Sequence, residues 1–483
     1  MTLRALVFRF ALVALWTIPA IPDAAFPAGP EIFLREEPET YLVIDKLEGM
    51  GFLPELLTGD RGLEALEVAR EAEKAGTAGD PFTDGMIRFL QLGGRKRHDF
   101  RLRAGFEHSR VGRVPPNAQG LPVLKNGAVR AGGFFRTYPA DWLSLQGRGD
   151  ILLGFSGDEE GRVEETSLRL GWPQATLEAG RFSLWWGPGR HGSIILSTNA
   201  EPLIGARLRN PRPISLGRPL RFLGKFQYDI FLARLEKDRP VPHPLLFGMR
   251  LAVRPNPYLE MGVSRTMQYG GEGRGNGLSE WWKAFKGRGE GETVNVANQI
   301  AGFDVSVLLP FRAQPMKVYL EAEGEDQRTK DIPRPYKWAI LSGVFFPSLL
   351  GSPRADLRVE VAITDIRERD GVWYLHGDYP YRYRGEILGH HMGTRARDLF
   401  LEAHYFLLPS SYLEANVDFT KRDFPGLERE ETWRLSGAIV AWLTKNLRAE
   451  ARLAVENFSN EGGIFGRDGS DVAFQSFLSY QYR

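Results

Sequence analysis

The sequence contains no cysteine. That excludes a disulfide framework and a thiolate-held metal, and leaves an oxidising compartment nothing to cross-link. After its first 25 residues the chain has no run of about 18 apolar residues, which excludes a helical membrane domain. It also has almost no net charge. Its 62 basic and 60 acidic residues leave +2, so no bulk field draws it to nucleic acid.

Glycine is abundant, at 54 of 483 residues, beside 12% aromatic and 25% charged residues. The length admits roughly three ordinary domains, although a β-barrel of this size is a single unit. The chain opens "MTLRALVFRFALVALWTIPAIPDAA". A basic Arg4 followed by an apolar stretch from Ala5 to Ile21 reads as a secretory signal peptide over residues 1–25, with cleavage between Ala20 and Ala25. The competing reading is a membrane anchor, but the run is short and Pro19 and Pro22 break its end. An exported chain without spanning helices is periplasmic, secreted or an outer-membrane barrel.

Helical periodicity is confined to residues 31–93. "YLVIDKLEGMGFLPELL" and "GLEALEVAREAEKAG" place Leu and Val on one stripe with acidic and basic residues opposite. A third helix is expected after Asp80-Pro81. From Arg95 to the end the period is two. In "NLRAEARLAVEN", Leu447, Ala449, Ala451, Leu453 and Val455 share one face, while Arg448, Glu450 and Arg452 share the other. "ADLRVEVAIT" and "SYLEANVDFTK" repeat the pattern.

A soluble sandwich alternates too. The polar face decides, because it carries charges in strand after strand, as if lining a wide aqueous lumen. Aromatic residues near strand ends (Tyr405, Phe419, Trp433, Trp442) resemble interfacial girdles on the apolar face. The expected fold is an all-β transmembrane barrel over 95–483, with about 18 antiparallel strands at roughly 20 residues per strand and turn. Two long insertions, 267–299 and roughly 367–396, read as exterior loops. The first contains "LSEWWKAFKG", with Ser279 as N-cap and Gly287 as stop of a short helix.

The most unusual stretch is "WWGPGRHGSIILSTNAEP", from Trp185 to Pro202. With "NPYLEMGVSRTMQYGGEGR", "NQIAGFDVSVLLP" and "GEILGHHMGTRARDLFLEAHYFL", it resembles the Wzi family of outer-membrane capsule-assembly proteins. The resemblance implies a barrel of about eighteen strands with a periplasmic helical bundle. It also implies a non-enzymatic surface lectin, without cofactor, that holds capsular or exopolysaccharide. Outer-membrane lipid and polysaccharide export machinery are further candidate partners. A porin or transport channel on the same barrel is the alternative.

Candidate carbohydrate contacts follow from residue chemistry. Trp185 and Trp186 offer indole faces to sugar rings, against membrane-interface or lumen packing. As strand neighbours they diverge unless Gly187-Pro188-Gly189 bends the chain. Arg190 and His191 suit the carboxylates of an acidic glycan, or a lumen salt bridge equally well. Asn199 and Glu201 suit sugar hydroxyls, or a cap on the turn at Pro202. Trp281 and Trp282 are a second contact, or a foot folding their loop into the barrel mouth as a plug.

No catalytic residue and no metal are expected. His191, Ser193 and Asn199 contain the types of a hydrolase triad, but nothing supplies an oxyanion hole. His390 and His391 diverge as neighbours, with no local carboxylate at ligand spacing. Asp158-Glu159-Glu160 and Glu164-Glu165 read as a turn and its flanks. Arg95-Lys96-Arg97 reads as a solvated turn or a lipid-headgroup contact.

Overall fold

The computed structural model describes residues 31–32, 36–93, 98–140, 142–157, 159–172, 174–210, 212–286, 297–325, 337–365 and 373–482. The expected signal peptide, Arg95-Lys96-Arg97, Asp158 and Gly287 lie outside them. The main sheet has 19 strands, one of which, Ile214–Ser215, is a two-residue spur. The other 18 form a closed antiparallel barrel. Closure comes from the first strand, His98–Ser109, pairing with the last, Gly469–Tyr482, so that Phe100 faces Tyr482 and Ser109 faces Ala473. A closed sheet leaves no unpaired edge, which is what a bilayer demands of strands.

The two-residue period sorts the side chains as expected. Val263, Leu435, Leu453, Leu478 and Tyr482 stand exposed on the outer wall. Arg207, Arg250, Arg358 and Glu360 are buried on the inner one. Tyr405 and Trp433 belong to the outer belt, and Trp433 stacks on Phe419 of the neighbouring strand at 4.0 Å. Trp442 does not. It faces inward, where its indole N–H donates to Glu39 at 3.3 Å, because the strand ends against the helices and the helical side is its polar partner.

The two ends of the barrel differ. Where the chain enters and leaves, most connections are short, as between Trp172 and Ala175, Asn256 and Leu259, or Leu408 and Ser411. The opposite end carries the long connections 110–127, 183–202, 270–296 and 364–395.

Three helices close the short-turn end: α1 (Pro38–Gly49), α2 (Ala65–Lys74) and α3 (Pro81–Gly93). Pro38 sits in the first turn of α1, where its missing N–H costs nothing. Asp80 caps α3 by accepting from the Thr83 N–H at 2.9 Å and from its hydroxyl at 2.7 Å. The helices do not form a core alone. Tyr41, Ile44, Leu47, Val68, Met86 and Leu90 cluster with Phe406, Tyr412 and Val440 of the barrel wall. Charges seal the joint. Asp45 accepts from Arg61 at 2.6 and 3.1 Å and from Arg358 at 3.0 Å. Glu37 accepts from Arg101 at 2.8 Å and Arg136 at 2.9 Å.

Candidate functional site

The lumen is not an open aqueous channel lined by free charges. A column of chain runs up it. Residues 58–62, which follow α1, meet the Trp185–Gly187 segment: the Arg61 N–H donates to the Trp185 carbonyl at 3.2 Å, and the Gly187 N–H to that of Gly59 at 2.8 Å. Trp186 bridges back to Leu196 at 3.0 Å. Higher up, the Ser197 N–H donates to Leu388 at 2.9 Å, and the Gln119 and Gly120 N–H groups donate to Thr198 and Asn199 at 2.8 and 2.9 Å.

Irregular backbone inside a barrel needs partners for its polar groups. Wall carboxylates supply them in a repeated way. Glu260 accepts the N–H groups of Thr58 and Gly59 at 3.0 and 2.8 Å. Glu360 accepts those of Arg190 and His191 at 2.7 and 2.8 Å. Glu321 accepts those of Ile194 and Ile195 at 2.8 and 3.2 Å, and the Ser193 hydroxyl at 2.9 Å. This is why the stretch is rich in glycine. At Gly187, with φ at +132°, a Cβ would meet the Glu321 carboxylate at 2.6 Å, and at Gly192 one would collide with the His390 ring.

The sequence candidates fall at different depths. Trp186 is fully buried, its indole N–H given to Asp229 at 3.0 Å and its ring edge-on to Phe231 at 5.3 Å. It has no free face. Trp185 is buried, donates to the Gly189 carbonyl at 3.2 Å, and borders a cavity of about 280 Å³ in the lumen. Arg190 and His191 border the same cavity, and both take the salt-bridge option, Arg190 with Glu402 at 3.4 Å and His191 with Asp418 at 3.1 Å. The His191 ring lies flat on Phe400, 3.7 Å between centroids. Glu201 is ringed by Arg181, Arg384 and Arg162 at 2.6, 3.2 and 3.6 Å. Asn199 donates to the Ile387 carbonyl at 3.1 Å. The hydrolase arrangement is not assembled, since Ser193 donates to Glu321 and the His191 ring faces Asp418.

Trp281 and Trp282 are elsewhere. They lie on α4 (Leu278–Phe285), capped at Gly277, which packs against Phe247, Met267 and Met249. Those residues alternate with the lumen-facing ones, so α4 rests on the outer wall rather than plugging the mouth. The apolar outer face offered it a larger partner than the charged lumen. Trp281 stacks on Phe285 at 4.9 Å, and Trp282 stays 48% exposed.

Sequence reasoning missed the outer mouth. There, at the long-loop end, a cavity of about 570 Å³ is bordered by Arg382, Arg395, Phe424, Arg434, Asn199 and Asp418. Arg382 and Arg395 make no salt bridge among the described residues. The signal was available in "RYRGEILGHHMGTRAR", a basic run in an otherwise balanced chain. His191 and His391 also converge, on Asp398 and Asp418, and His191 lies some two hundred residues from the other three, too far for spacing to reveal.

A family model described as capsule assembly protein Wzi matches residues 91–463, most of the chain. A Klebsiella pneumoniae protein, described as an uncharacterized 55.8 kDa protein in the cps region, is 36% identical over 156 residues. That match spans 31% of each sequence, so it covers about a third of the relative's length. Among solved structures, Wzi of Escherichia coli is described as an outer-membrane protein involved in group 1 capsule assembly and a carbohydrate-binding β-barrel. It superposes with a TM-score of 0.75 at 21% identity, over 91% of this chain and 97% of its own. The likeness establishes the fold: a closed barrel with helices at its N-terminal end.

Proposed function

The chain belongs to the capsule assembly protein Wzi family, and from that premise we propose that it binds and organises capsular or exopolysaccharide at the cell surface without catalysing a reaction. It sits in the outer membrane with lipid around its apolar outer belt. Short turns mark the periplasmic end of such barrels and long loops the exterior. The helices therefore close the periplasmic mouth, on the side where polysaccharide export machinery would stand, and the cavity of about 570 Å³ opens outward.

One observation carries the reading. The outer cavity presents Arg382 and Arg395 with no salt bridge among the described residues, beside Thr394 and the Phe424 ring, while its carboxylates Glu430, Glu456 and Asp423 are paired with Arg422, Arg113 and Arg429. A guanidinium fork takes a uronate or pyruvate carboxylate in two parallel hydrogen bonds, and an aromatic face takes the apolar side of a sugar ring. Trp186 contributes by packing. Trp185, Arg190 and His191 lie one level deeper and hold the floor of the site rather than its mouth. The column of chain through the lumen weighs against the porin alternative.

The test is binding of detergent-solubilised protein to the producing cell's own surface polysaccharide, against neutral glycans. Selective, saturable binding is expected. The Arg382→Gln/Arg395→Gln double variant should weaken it at least tenfold, the loss of about one charge-assisted hydrogen bond. Equal affinity for neutral glycans, or a double variant that binds as well as the parent, would sink the reading.

A further inference from the structure

Between the deep and the outer cavity, three separate parts of the chain bring two imidazoles and two carboxylates together. His191 comes from the 183–202 segment and His391 from the 364–395 loop. Asp398 and Asp418 come from the neighbouring wall strands Ala396–Leu408 and Ser411–Arg422. One ligand-type atom from each lies within 4.8 Å of all the others. The His191 Nε2 is 3.1 Å from the Asp418 Oδ2, and the His391 Nε2 is 3.6 Å from the Asp398 Oδ2 and 3.9 Å from the Asp418 Oδ2.

We propose that this quartet is a zinc site that fastens both lumen segments to the barrel wall. Tetrahedral zinc, with metal–ligand bonds of about 2.0–2.2 Å, needs ligand atoms about 3.4 Å apart. The three separations above bracket that value, so sub-ångström side-chain adjustments complete the geometry. The donor set suits zinc and not calcium or magnesium, which prefer six or more oxygens.

Further observations favour a cation at this position. Both ring nitrogens of His391 are sealed from solvent and have no hydrogen-bond partner, a costly state for an imidazole with nothing to bind. Neither Asp398 nor Asp418 makes a salt bridge to Arg or Lys among the described residues. Most buried carboxylates of the lumen are met by a guanidinium, an ammonium or backbone N–H groups, whereas these two adjacent ones face imidazoles; a divalent ion with neutral imidazoles would cancel both charges. The groups are also held in place from behind. The Thr420 hydroxyl donates to Asp398 at 2.9 Å, and the Phe400 ring fixes the plane of His191. The quartet adjoins the outer cavity, which His391 and Asp418 border.

A second cluster provides the contrast. Glu402, His404 and Glu414 also lie close, but each already has a partner: Arg190 for Glu402, Asp356 for His404 at 2.8 Å, and Arg452 for Glu414 at 2.9 Å. That cluster is already an ion-pair network.

The experiment uses full-length protein in detergent, stripped with a chelator and dialysed against zinc, with bound metal measured by elemental analysis. One zinc per chain is expected. His391→Gln and Asp418→Asn should each weaken binding at least tenfold, second-shell effects being of that size or larger and ligand loss more. His404→Gln should bind as the parent does. Substituting cobalt in the unmodified protein reads coordination directly and needs no variant: an intense tetrahedral visible spectrum is expected. A weak octahedral spectrum, no stoichiometric zinc in the parent, or equal zinc in the parent and the two ligand variants would each overturn the proposal. None of these readouts involves a glycan, so the zinc site and the polysaccharide reading stand or fall separately.

Discussion

Asp45 is the place to test whether charge holds the helices in the barrel mouth. Its carboxylate sits between the guanidinium groups of Arg61 and Arg358, with three contacts of 2.6 to 3.1 Å and all three side chains nearly buried. Burial alone would push its pKa up, but Arg61 and Arg358 outweigh that and hold the carboxyl well below the usual carboxylate range. Asp45→Asn keeps the shape and removes the charge. Arg358 retains Glu402 at 3.7 Å and Glu360 at 3.9 Å, whereas Arg61 is left with the Tyr41 ring at 5.8 Å. Stranding a buried charge in this way costs about 3–5 kcal/mol. At about 1.4 kcal/mol per power of ten, the helices should undock roughly two to nearly four powers of ten more often. Hydrogen exchange over α1 measures this. Lys421→Gln serves as control, because it breaks an exposed bridge to Glu431 on the barrel wall worth at most about 1 kcal/mol. The pH dependence has a definite sign. With a folded pKa below the unfolded one, the Asp45 contribution is complete above the unfolded value near ~3.9 and fades as pH falls through the folded one. The difference between parent and Asp45→Asn should therefore be full at neutral pH and shrink in acid. Asp45→Asn exchanging as slowly as Lys421→Gln at neutral pH would refute the reasoning.

Two other perturbations separate structural from binding roles. Glu321→Ala takes away the acceptor of the Ile194 and Ile195 N–H groups and of the Ser193 hydroxyl. It should cost about 2–4 kcal/mol in thermal stability, and an unchanged melting temperature would show that the column does not depend on that grip. Trp282→Ala removes an exposed ring from the helix on the outer wall, and glycan affinity should stay within twofold of the parent. A tenfold loss in a binding titration would bring α4 back into the site.

The barrel was legible because its signal is local. A period of two, strands of about ten residues and apolar faces such as Leu447 to Val455 follow from backbone geometry alone. What the alternation could not show was where the inner charges would point. Arg358, Glu360, Glu321 and Asp418 read as residues facing water, yet each turns to a charge or an N–H contributed by chain more than a hundred residues away or by a neighbouring strand. The Trp185–Pro202 stretch was recognisable as irregular, but its role depended on those distant acceptors. Trp281 and Trp282 failed as plug residues for a related reason. A short amphipathic helix announces that it will bury one face, not which side of a wall will take it.

The column also changes how the glycine-rich stretch is understood. A wall carboxylate can accept two successive N–H groups when the backbone comes close, and a Cβ at Gly187 would come within 2.6 Å of a Glu321 oxygen. Glycine and carboxylate are thus two halves of one device, spaced far apart in the chain and meeting in the lumen. The same logic separates floor from mouth. Residues that hold the column, such as Trp186 on Asp229 and His191 against Asp418, have used their polar groups internally. Arg382, whose guanidinium reaches only the Gly385 carbonyl at 3.3 Å, and Arg395 make no salt bridge among the described residues, and a carboxylate ligand can be recognised at the cell surface by such guanidinium groups.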